Sequence, residues 1–531
     1  MRLLAITLTT AALTAMLWAE GIPVKSQLVQ DKCGGCHTLD SQQRMSRISY
    51  QRKTPEGWEE TVRRMVQLHK VSLTPAEARA IVQYLGDQQG LTASEVDKIS
   101  YALEQRELEQ RGEEEKIPNE AVRTACATCH SYARIAAQRR TKEEWLKLKS
   151  FLLAIIPTIV YQHRYMDWMT TCDEALAYLA QQFPLETPEW QREKNQTAPG
   201  EGAWVVRGYQ AGKGDYVGQI KMSVAADGSR QTQAALEFAD GTHTTRTGTG
   251  HWYGAASWRG NAQWQEGAKG REIYHLSADG TTLRGRWLGV EKQGIAGEET
   301  LYHRDGHPRL VAVFPKAVQS GAKNVELRIY GADLPANVKP GDLSLGDGLK
   351  VEKITAATTD RITVEATVSA DAKNGRRVVQ VGPATAQDLL CVYDKVDYIR
   401  VLPERTMART GGIHYSKQYV QFEAHAYNRG PDGVVGNDDD LDIGVVKPNW
   451  AIEELYNAYD DKDREFVGSI DQNGLFTPAI EGPNPKRYRS GENIGDVYVT
   501  AEYKPGNDAK AMKARSYVLV SIPKMRDTLI P

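Results

Sequence analysis

Two short motifs contain the residues of this chain best suited to chemistry. They are CGGCH at Cys33–His37 and CATCH at Cys126–His130. In such a motif two thiols one helical turn apart form thioethers with the vinyl groups of one porphyrin, and the following histidine lies under the iron. The sequence therefore predicts two covalent haem c groups. Their predicted thioether cysteines and proximal histidines are Cys33, Cys36 and His37, then Cys126, Cys129 and His130.

Two other interpretations of a C-x-x-C pair fit this sequence less well. A structural zinc ion needs four protein ligands in one site. A thioredoxin-type dithiol needs a βαβ context, which this part of the sequence lacks. The histidine that ends each motif, together with the repetition of the motif, favours haem.

A haem that only transfers electrons needs a sixth iron ligand, whereas an open position favours ligand binding or peroxide chemistry. In the first half the candidates are Met65 and His69, which are four residues apart and so share one helical face. The pattern of Trp58, Arg64-Met65 and Tyr84-Leu85 resembles small monohaem cytochromes c in which a methionine after arginine is the distal ligand. Met65 is therefore favoured over His69.

The second half has its own distal candidates. Counting back from Tyr178-Leu179 places His163 level with His69 and an apolar residue level with Met65, so His163 is favoured. Met166 and Met169 remain alternatives. These choices predict a His/Met first haem and a bis-His second haem. Thioether ligation raises the reduction potential relative to bis-imidazole ligation, so the two potentials should differ.

The elements around these residues are predicted to be helical between 20 and 185. Capping boxes at Thr74–Glu77, Thr141–Glu144 and Thr171–Glu174 predict three helix starts. The order of motif, tryptophan-containing helix and capped helix occurs twice, which predicts two duplicated units at about 20–97 and 117–185. The charged stretch 98–116 is expected to be an exposed helix or linker between them.

Alternating strands and glycine-rich turns follow from residue 200 onward. They predict an aromatic-rich, barrel-like domain at 200–305, with five tryptophans expected mainly in its core. Immunoglobulin-like sandwiches are predicted at 307–400 and at 401–531, where Tyr419–Tyr427 is one expected strand. The predicted fold class is thus multidomain: a helical dihaem cytochrome c domain, then three antiparallel β domains.

Composition and the first residues limit the class of protein. The 531 residues are 41% hydrophobic and 25% charged, with a net charge of −2, so neither a disordered chain nor a nucleic-acid binder is expected. Six cysteines are too few for a disulfide scaffold, and Cys172 and Cys391 are expected to be free and buried.

Met1–Ala19 predicts a signal peptide cleaved near Ala19 and a periplasmic location, a retained anchor being the alternative. No later segment is long enough to span a membrane.

The whole arrangement resembles the alpha subunit of quinohaemoprotein amine dehydrogenase. Besides the two haem motifs, the resemblance rests on His251–Gly254, Asp360–Val364 and Gly474–Pro478. It implies a heterotrimer with a propeller subunit and a small subunit that carries cysteine tryptophylquinone and oxidises primary amines to aldehydes and ammonia. It also implies that this chain passes electrons from the quinone to a soluble copper protein or cytochrome c, with no catalytic residue of its own. One haem of the family is bis-His and one His/Met.

Three other functions remain as alternatives. One is a stand-alone dihaem electron carrier whose β domains bind a partner or the cell wall. Another is a dihaem peroxidase, which requires an open sixth iron position. The third is a carbohydrate-binding protein that stacks sugars on the tryptophans of 200–305, although tryptophans in β domains are more often core residues.

Overall fold

The computed structural model describes residues 20–105, 115–199, 201–455, 461–506 and 509–524. The chain forms two compact units, one from Met1–Leu91 and Lys116–Arg192, the other from Thr92–Glu115 and Glu193–Pro531. The first unit is helical and the second consists mainly of β-sheets, which confirms the predicted order of α then β structure. The predicted signal peptide, Met1–Ala19, lies outside the described residues.

Helices form most of the first unit and the connection out of it. They are α1 (Gln27–Cys33), α2 (Pro55–His69), α3 (Pro75–Gln88), α4 (Ala93–Asp97), α5 (Ser100–Leu103), α6 (Glu120–Ala125), α7 (Tyr132–Ala136), α8 (Lys142–Ile155), α9 (Ile159–Gln162), α10 (Trp168–Gln182) and α11 (Pro188–Glu193). Two of the predicted helix starts are confirmed: Thr74 forms a complete capping box with Glu77, and the Thr141 side chain caps α8.

The third predicted capping box is wrong. Helix α10 begins one turn earlier, where the Asp167 carboxylate accepts hydrogen bonds from the backbone N–H groups of Met169 and Thr170. Thr171 therefore lies inside the helix, and its hydroxyl donates to the Asp167 carbonyl. Asp167, one turn before Thr171, is the residue that caps the start of this helix.

A short antiparallel pair joins the two halves of the helical unit. Strand β1 (Gln51–Lys53) pairs with β2 (Gln138–Arg140), so that Arg52 lies opposite Arg139. The buried Trp58 donates its indole N–H to the Gln89 carbonyl at 3.1 Å, and that carbonyl also accepts from the Lys53 backbone N–H at 3.0 Å.

The second half repeats this pattern with different residues. The indole N–H of the buried Trp145 donates to the Phe183 carbonyl at 2.9 Å, and the Arg140 backbone N–H donates to the same oxygen at 3.2 Å. In both halves the accepting carbonyl belongs to the residue that ends a helix, Gln89 after α3 and Phe183 after α10. Each half therefore fixes its tryptophan helix to the pair of strands in the same way.

The stretch 98–116 was predicted to be exposed, but its described part contains buried residues. Ile99 and Glu104 are buried, and Glu104 accepts a hydrogen bond from Arg286 through its carbonyl at 3.3 Å. Residues 106–114, the centre of the predicted stretch, lie outside the described residues. The part up to residue 105 thus packs within the second unit.

The first β domain of the second unit is a closed eight-stranded antiparallel barrel. Its strands are β3 (Gly202–Gln210), β4 (Gly214–Val224), β5 (Arg230–Phe238), β6 (His243–Tyr253), β7 (Ser257–Trp264), β8 (Lys269–Leu276), β9 (Thr282–Gly289) and β10 (Ala296–His303). All five of its tryptophans are buried, as expected of core residues. The barrel also contains a buried ion pair. Glu299 accepts two hydrogen bonds from Arg246, at 2.8 and 2.9 Å, and one from the Tyr216 hydroxyl at 2.6 Å.

Two four-stranded sheets follow and enclose one apolar core. Their strands are β11 (Arg309–Phe314), β12 (Ala317–Gln319), β13 (Val325–Ala332), β14 (Leu343–Ser344), β15 (Leu349–Ala357), β16 (Arg361–Val368), β17 (Gly375–Val381) and β18 (Ala384–Tyr393). The expectation of purely antiparallel pairing is wrong here, because β12 runs parallel to β18.

The last part of the chain forms three further sheets around a core that contains Phe422, Phe476 and Trp450. Its elements are β19 (Tyr398–Leu402), β20 (Arg405–Arg409), β21 (Val420–Gln421), β22 (Glu423–Asn428), β23 (Leu441–Val446), β24 (Asn449–Glu454), α12 (Asp463–Phe466), β25 (Gly468–Ile470), β26 (Leu475–Pro478), β27 (Gly495–Tyr503) and β28 (Met512–Ser521). Here β20 and β28 are parallel.

One strand predicted in this last part is divided in two. Tyr419–Tyr427 becomes β21, which pairs with β26, and β22, which pairs with β19 and β23. Phe422 lies at the break, with its side chain buried and its N–H donating to the Gly474 carbonyl at 2.8 Å. The chain therefore passes from one sheet to another where alternation alone predicted a continuous strand.

Candidate haem-binding site

The first C-x-x-C-H motif continues the end of helix α1. The Ser26 side chain caps the start of this helix, which ends at Cys33. One further turn follows, because the His37 N–H donates to the Cys33 carbonyl at 2.9 Å and the Cys36 N–H to the same oxygen at 3.2 Å. Cys33 is half-buried and Cys36 exposed. The two thiols and the histidine are thus presented on a single tight turn, as covalent attachment to one porphyrin requires.

The ring of His37 is oriented by a backbone carbonyl. Its Nδ1 lies 2.8 Å from the oxygen of Ser46, so the ring carries its proton on Nδ1 and directs the Nε2 lone pair away. Burial lowers the pKa of His37 from its ordinary 6.5, and the positive charges of Arg47 and His69 lower it further against the opposing hydrogen bond to Ser46. A neutral imidazole with a fixed tautomer is the form that binds iron.

The second motif follows helix α6 in a similar way. The Asn119 side chain caps the helix, and the Cys126 and Ala127 N–H groups both donate to the Val122 carbonyl, at 3.1 and 3.0 Å. Cys126 is half-buried and Cys129 exposed. Burial raises the pKa of the Cys126 thiol to about 12. The Nδ1 of His130 lies 3.2 Å from the Ser131 carbonyl oxygen, which again fixes the ring through a backbone acceptor.

Helix α2 holds both distal candidates of the first half. Met65 is half-buried and lies one turn before the end of the helix, whereas His69 is its last residue and is exposed. The His69 charge acts on His37, so the two histidines belong to the same local site. The choice of Met65 over His69 stays a prediction.

The distal candidates of the second half lie on and after α9. His163 was expected to correspond to His69, but the two residues are placed differently. His69 ends the long helix α2, whereas α8 ends at Ile155 and His163 lies at the C-terminal end of the separate helix α9. The Nε2 of His163 is buried and has no hydrogen-bond partner among the described residues. An unsatisfied buried polar atom costs about 1–3 kcal/mol, and coordination to a metal would remove that cost.

The two methionine alternatives differ in burial. Met166 is half-buried and packs against the apolar cluster that also contacts Cys126, whereas Met169 is exposed. The N–H of Met166 donates to the His163 carbonyl at 3.1 Å, so both residues lie in one turn. His163, with its buried unsatisfied nitrogen, fits an iron ligand best. Taken together, the thiol turns, the oriented proximal rings and this nitrogen fit covalently bound haem.

Sequence reasoning missed the groups that hold these ligands. Ser46 orients His37 through its carbonyl, and a backbone acceptor leaves no mark in residue type. It also missed Lys53 and Arg140, whose charged groups lie over the tryptophans of their own halves, 5.1 Å from Trp58 and 5.7 Å from Trp145. Both positions could have been found from the sequence, because in each half a basic residue directly precedes the threonine that caps the next helix.

Matches to protein-family models cover nearly all of the described chain. Residues 24–190 match the model for the haem-binding part of the quinohemoprotein amine dehydrogenase A alpha subunit. Residues 197–300, 307–394 and 399–530 match the models for domains II, III and IV of the same subunit. The chain belongs to the quinohaemoprotein amine dehydrogenase alpha-subunit family. Its first unit is therefore a haem-binding domain of a multi-subunit oxidoreductase.

Other comparisons add little to this family assignment. No curated protein matches the sequence. A de novo designed fluorescence-activating beta barrel is 16% identical, covering 19% of this chain and 91% of its own, with a TM-score of 0.17. Human protocadherin-24 EC1-2 is 13% identical, covering 41% of this chain and 98% of its own, also with a TM-score of 0.17. These values are too low to support any argument.

Two cysteines lie outside the haem motifs. Cys172 and Cys391 are free and buried, as predicted. Within the described ranges, histidine, cysteine and acidic side chains form no group of three or more that could hold a metal ion. No helix among those residues has the length and apolar character needed to cross a membrane.

Proposed function

We propose that this chain is the dihaem electron-transfer subunit of a quinohaemoprotein amine dehydrogenase. One haem c is attached at Cys33 and Cys36 with His37 as proximal ligand, and the other at Cys126 and Cys129 with His130. When bound, haem iron supplies one-electron redox chemistry. The observation that carries the proposal is the pair of C-x-x-C-H turns whose histidine rings are held by backbone carbonyls, in a chain matched by the family along its length.

The distal ligands are part of the same proposal. Met65 is assigned to the first iron and His163 to the second, with His69, Met166 and Met169 as the alternatives. The assignment of His163 is supported by its buried nitrogen without a partner in the described structure. It gives one His/Met and one bis-His haem, so the first haem should have the higher potential.

The partners come from the family resemblance. We propose that a small subunit bearing cysteine tryptophylquinone oxidises the primary amine to aldehyde and ammonia. This chain then accepts the electrons and passes them to a soluble copper protein or cytochrome c. A propeller subunit completes the heterotrimer. The chain is proposed to be exported after cleavage near Ala19 and to work in the periplasm.

The β part is proposed to be a scaffold for these partners. The proposed limits are 20–185 for the dihaem domain and 200–305, 307–400 and 401–531 for the β domains, the last two immunoglobulin-like. The packing of two sheets around one core between Leu310 and Val392 supports a sandwich there. The filled interior of the barrel, with its buried tryptophans and Arg246–Glu299 pair, supports a structural role for that domain.

The test of the function uses the purified complex and the isolated chain side by side. Anaerobic addition of a primary amine should convert the haems of the complex to the ferrous form, as followed by their absorbance. The haems of the isolated chain should stay ferric. A Cys126→Ala/Cys129→Ala variant of the complex should lose half of the reducible haem. Amine-dependent reduction of the isolated chain, or rapid turnover of hydrogen peroxide by it, would contradict the proposal.

The distal ligands are tested by substitution with a matched control. His163→Ala should convert one haem from a bis-His to a high-spin spectrum, whereas Met166→Leu should leave both haems low-spin. Met65→Ala should remove the His/Met signal, and His69→Gln should retain it. Near-infrared magnetic circular dichroism of the ferric protein distinguishes these forms, and the reverse pattern in either pair would reassign that ligand.

A further inference from the structure

A buried group of basic residues lies where the two halves of the helical unit meet. Lys53 is only 6% exposed and Arg140 only 7%, and each is the last residue of its strand in the antiparallel pair of β1 and β2. Arg64 of α2 is the third member, and its guanidinium lies 5.0 Å from the ring centre of Phe151 of α8. These three residues are called the cationic cluster below.

The cluster has more positive than negative charge around it. The charges that act on Lys53 are those of Arg140, Arg64 and Arg47, opposed by the carboxylate of Glu144. Burial, and then these neighbouring cations, hold the pKa of Lys53 well below its ordinary value. Burial likewise lowers the pKa of Arg140 to about 10. Burying cations in this way is costly unless an anion compensates them.

Glu144 does not supply that compensation fully. Its two carboxylate oxygens already bind Arg47 at 2.6 Å and Lys147 at 2.7 Å. Hydrogen-bonding capacity also remains inside the cluster, because the Nε of Arg64 is buried and has no hydrogen-bond partner among the described residues. The acidic residue that acts on Arg64 is Glu60, and its effect is smaller than that of burial.

The cluster shares charged neighbours with the first haem motif. Arg47 and Glu144, which act on Lys53 and Arg140, also act on His37. Arg64 directly precedes Met65, the proposed distal ligand. A haem carries two carboxylate groups, and charge-assisted bonds from arginine to carboxylate are the strong class of hydrogen bond.

We propose that the cationic cluster of Lys53, Arg64 and Arg140 binds the propionate carboxylates of the haem attached at Cys33 and Cys36. The inference rests on the proposed haem attachment and adds residues to it. The cluster thereby fixes the orientation of that haem and holds its propionates ionised. Because the cations disfavour the oxidised haem, they also raise its reduction potential.

The test compares redox midpoints of purified, full-length variants. Arg64→Gln and Arg140→Gln remove one positive charge each, Arg140→Lys restores the charge, and Lys149→Gln is the control. Lys149 forms a surface ion pair with Asp173, so its removal leaves the cluster unchanged. A pyridine haemochrome assay first establishes two covalent haems per chain in every variant. Failure at that stage in the wild type would contradict the proposed function, independently of the cluster.

Each glutamine variant should lower the potential of one haem only. A buried unit charge in a medium of intermediate dielectric changes the redox equilibrium by about tenfold, which equals 59 mV for one electron. That haem's midpoint should also become dependent on pH between 5 and 8, as its propionates begin to take up protons. Arg140→Lys should restore both properties, and Lys149→Gln should behave as wild type.

Two results would overturn the proposal. One is a set of glutamine variants with two intact haems and wild-type midpoints at every pH. The other is equal shifts of both haems, which would indicate a general field rather than a carboxylate site. If added phosphate at constant ionic strength changes the wild-type midpoints, the cluster is occupied by a free anion, and the propionate assignment is wrong. The distal-ligand variants identify which midpoint belongs to the first haem.

Discussion

A buried histidine in the β unit provides a test of how that unit is stabilised. The Nδ1 of His425 lies 3.1 Å from the Asp442 carboxylate, and its Nε2 lies 3.2 Å from the Tyr209 hydroxyl and 3.5 Å from the Glu423 carboxylate. Asp442 also binds Lys316 at 2.9 Å. These residues come from the barrel and from both of the following sequence regions, so the network joins parts distant in sequence.

The network changes the affinity of His425 for a proton. Burial alone would lower the pKa, but the bonds and charges of Asp442 and Glu423 outweigh it and raise the pKa of His425 from 6.5 to about 9. The folded protein therefore binds this proton more tightly than the unfolded chain does. The resulting stability is complete below pH 6.5 and is lost as the pH rises through about 9. That change in pKa corresponds to about 3 kcal/mol.

The perturbation is His425→Gln, assayed by urea unfolding at pH 6 and at pH 9.5. We expect the free energy of unfolding of the wild-type β unit to fall by about 2–3 kcal/mol between these pH values, and that of the variant to fall by less than about 1 kcal/mol. Circular dichroism in the β-sheet region follows the transition. Replacement of the exposed His307 by glutamine is the control. Equal pH dependence in wild type and His425→Gln would show that the proton on His425 does not stabilise the β unit.

Three further substitutions test local contacts that stabilise the helical unit and the barrel. Trp145→Phe removes the indole donor to the Phe183 carbonyl, which keeps its bond from Arg140, so we expect a loss of about 2 kcal/mol in urea unfolding followed at the haem absorbance. Thr74→Ala breaks the capping box of α3 and should lower the free energy of unfolding by about 1 kcal/mol, whereas Thr74→Ser should leave it unchanged. Gly285→Ala would place a Cβ against the Ile273 carbonyl oxygen. We expect this overpacking to lower the free energy of unfolding of the β unit by about 1–3 kcal/mol, measured as a fall in its melting temperature.

Local sequence signals predicted much of the helical unit. A threonine cap followed by glutamate marks the start of α3 because both partners lie within one turn. The start of α10 was missed because Asp167 and Thr171 are both good caps and the choice between them depends on packing at Trp168, which is buried. The break of the predicted strand at Phe422 depended likewise on a contact with Gly474, a residue far along the chain.

In the candidate site, too, the features that depend on neighbouring residues could be predicted and those that depend on distant residues could not. The C-x-x-C-H motifs are contiguous, so the attachment residues could be predicted from the sequence alone. The orienting carbonyl of Ser46 and the buried nitrogen of His163 could not be predicted, because burial and backbone acceptors arise only in the folded chain. The cationic cluster brings together residues from β1, α2 and β2, and their charges act on one another only in the folded chain.

The most direct test of the account is the number and attachment of haem groups on the exported chain. Intact-mass spectrometry of the denatured protein, combined with a pyridine haemochrome assay, should give two covalently bound haems per chain. Cys33→Ala/Cys36→Ala and Cys126→Ala/Cys129→Ala should each retain one, and Cys172→Ala should retain two. A wild-type chain with one covalent haem or none, or with haem removable by acid extraction, would contradict the attachment of two haem c groups to this chain.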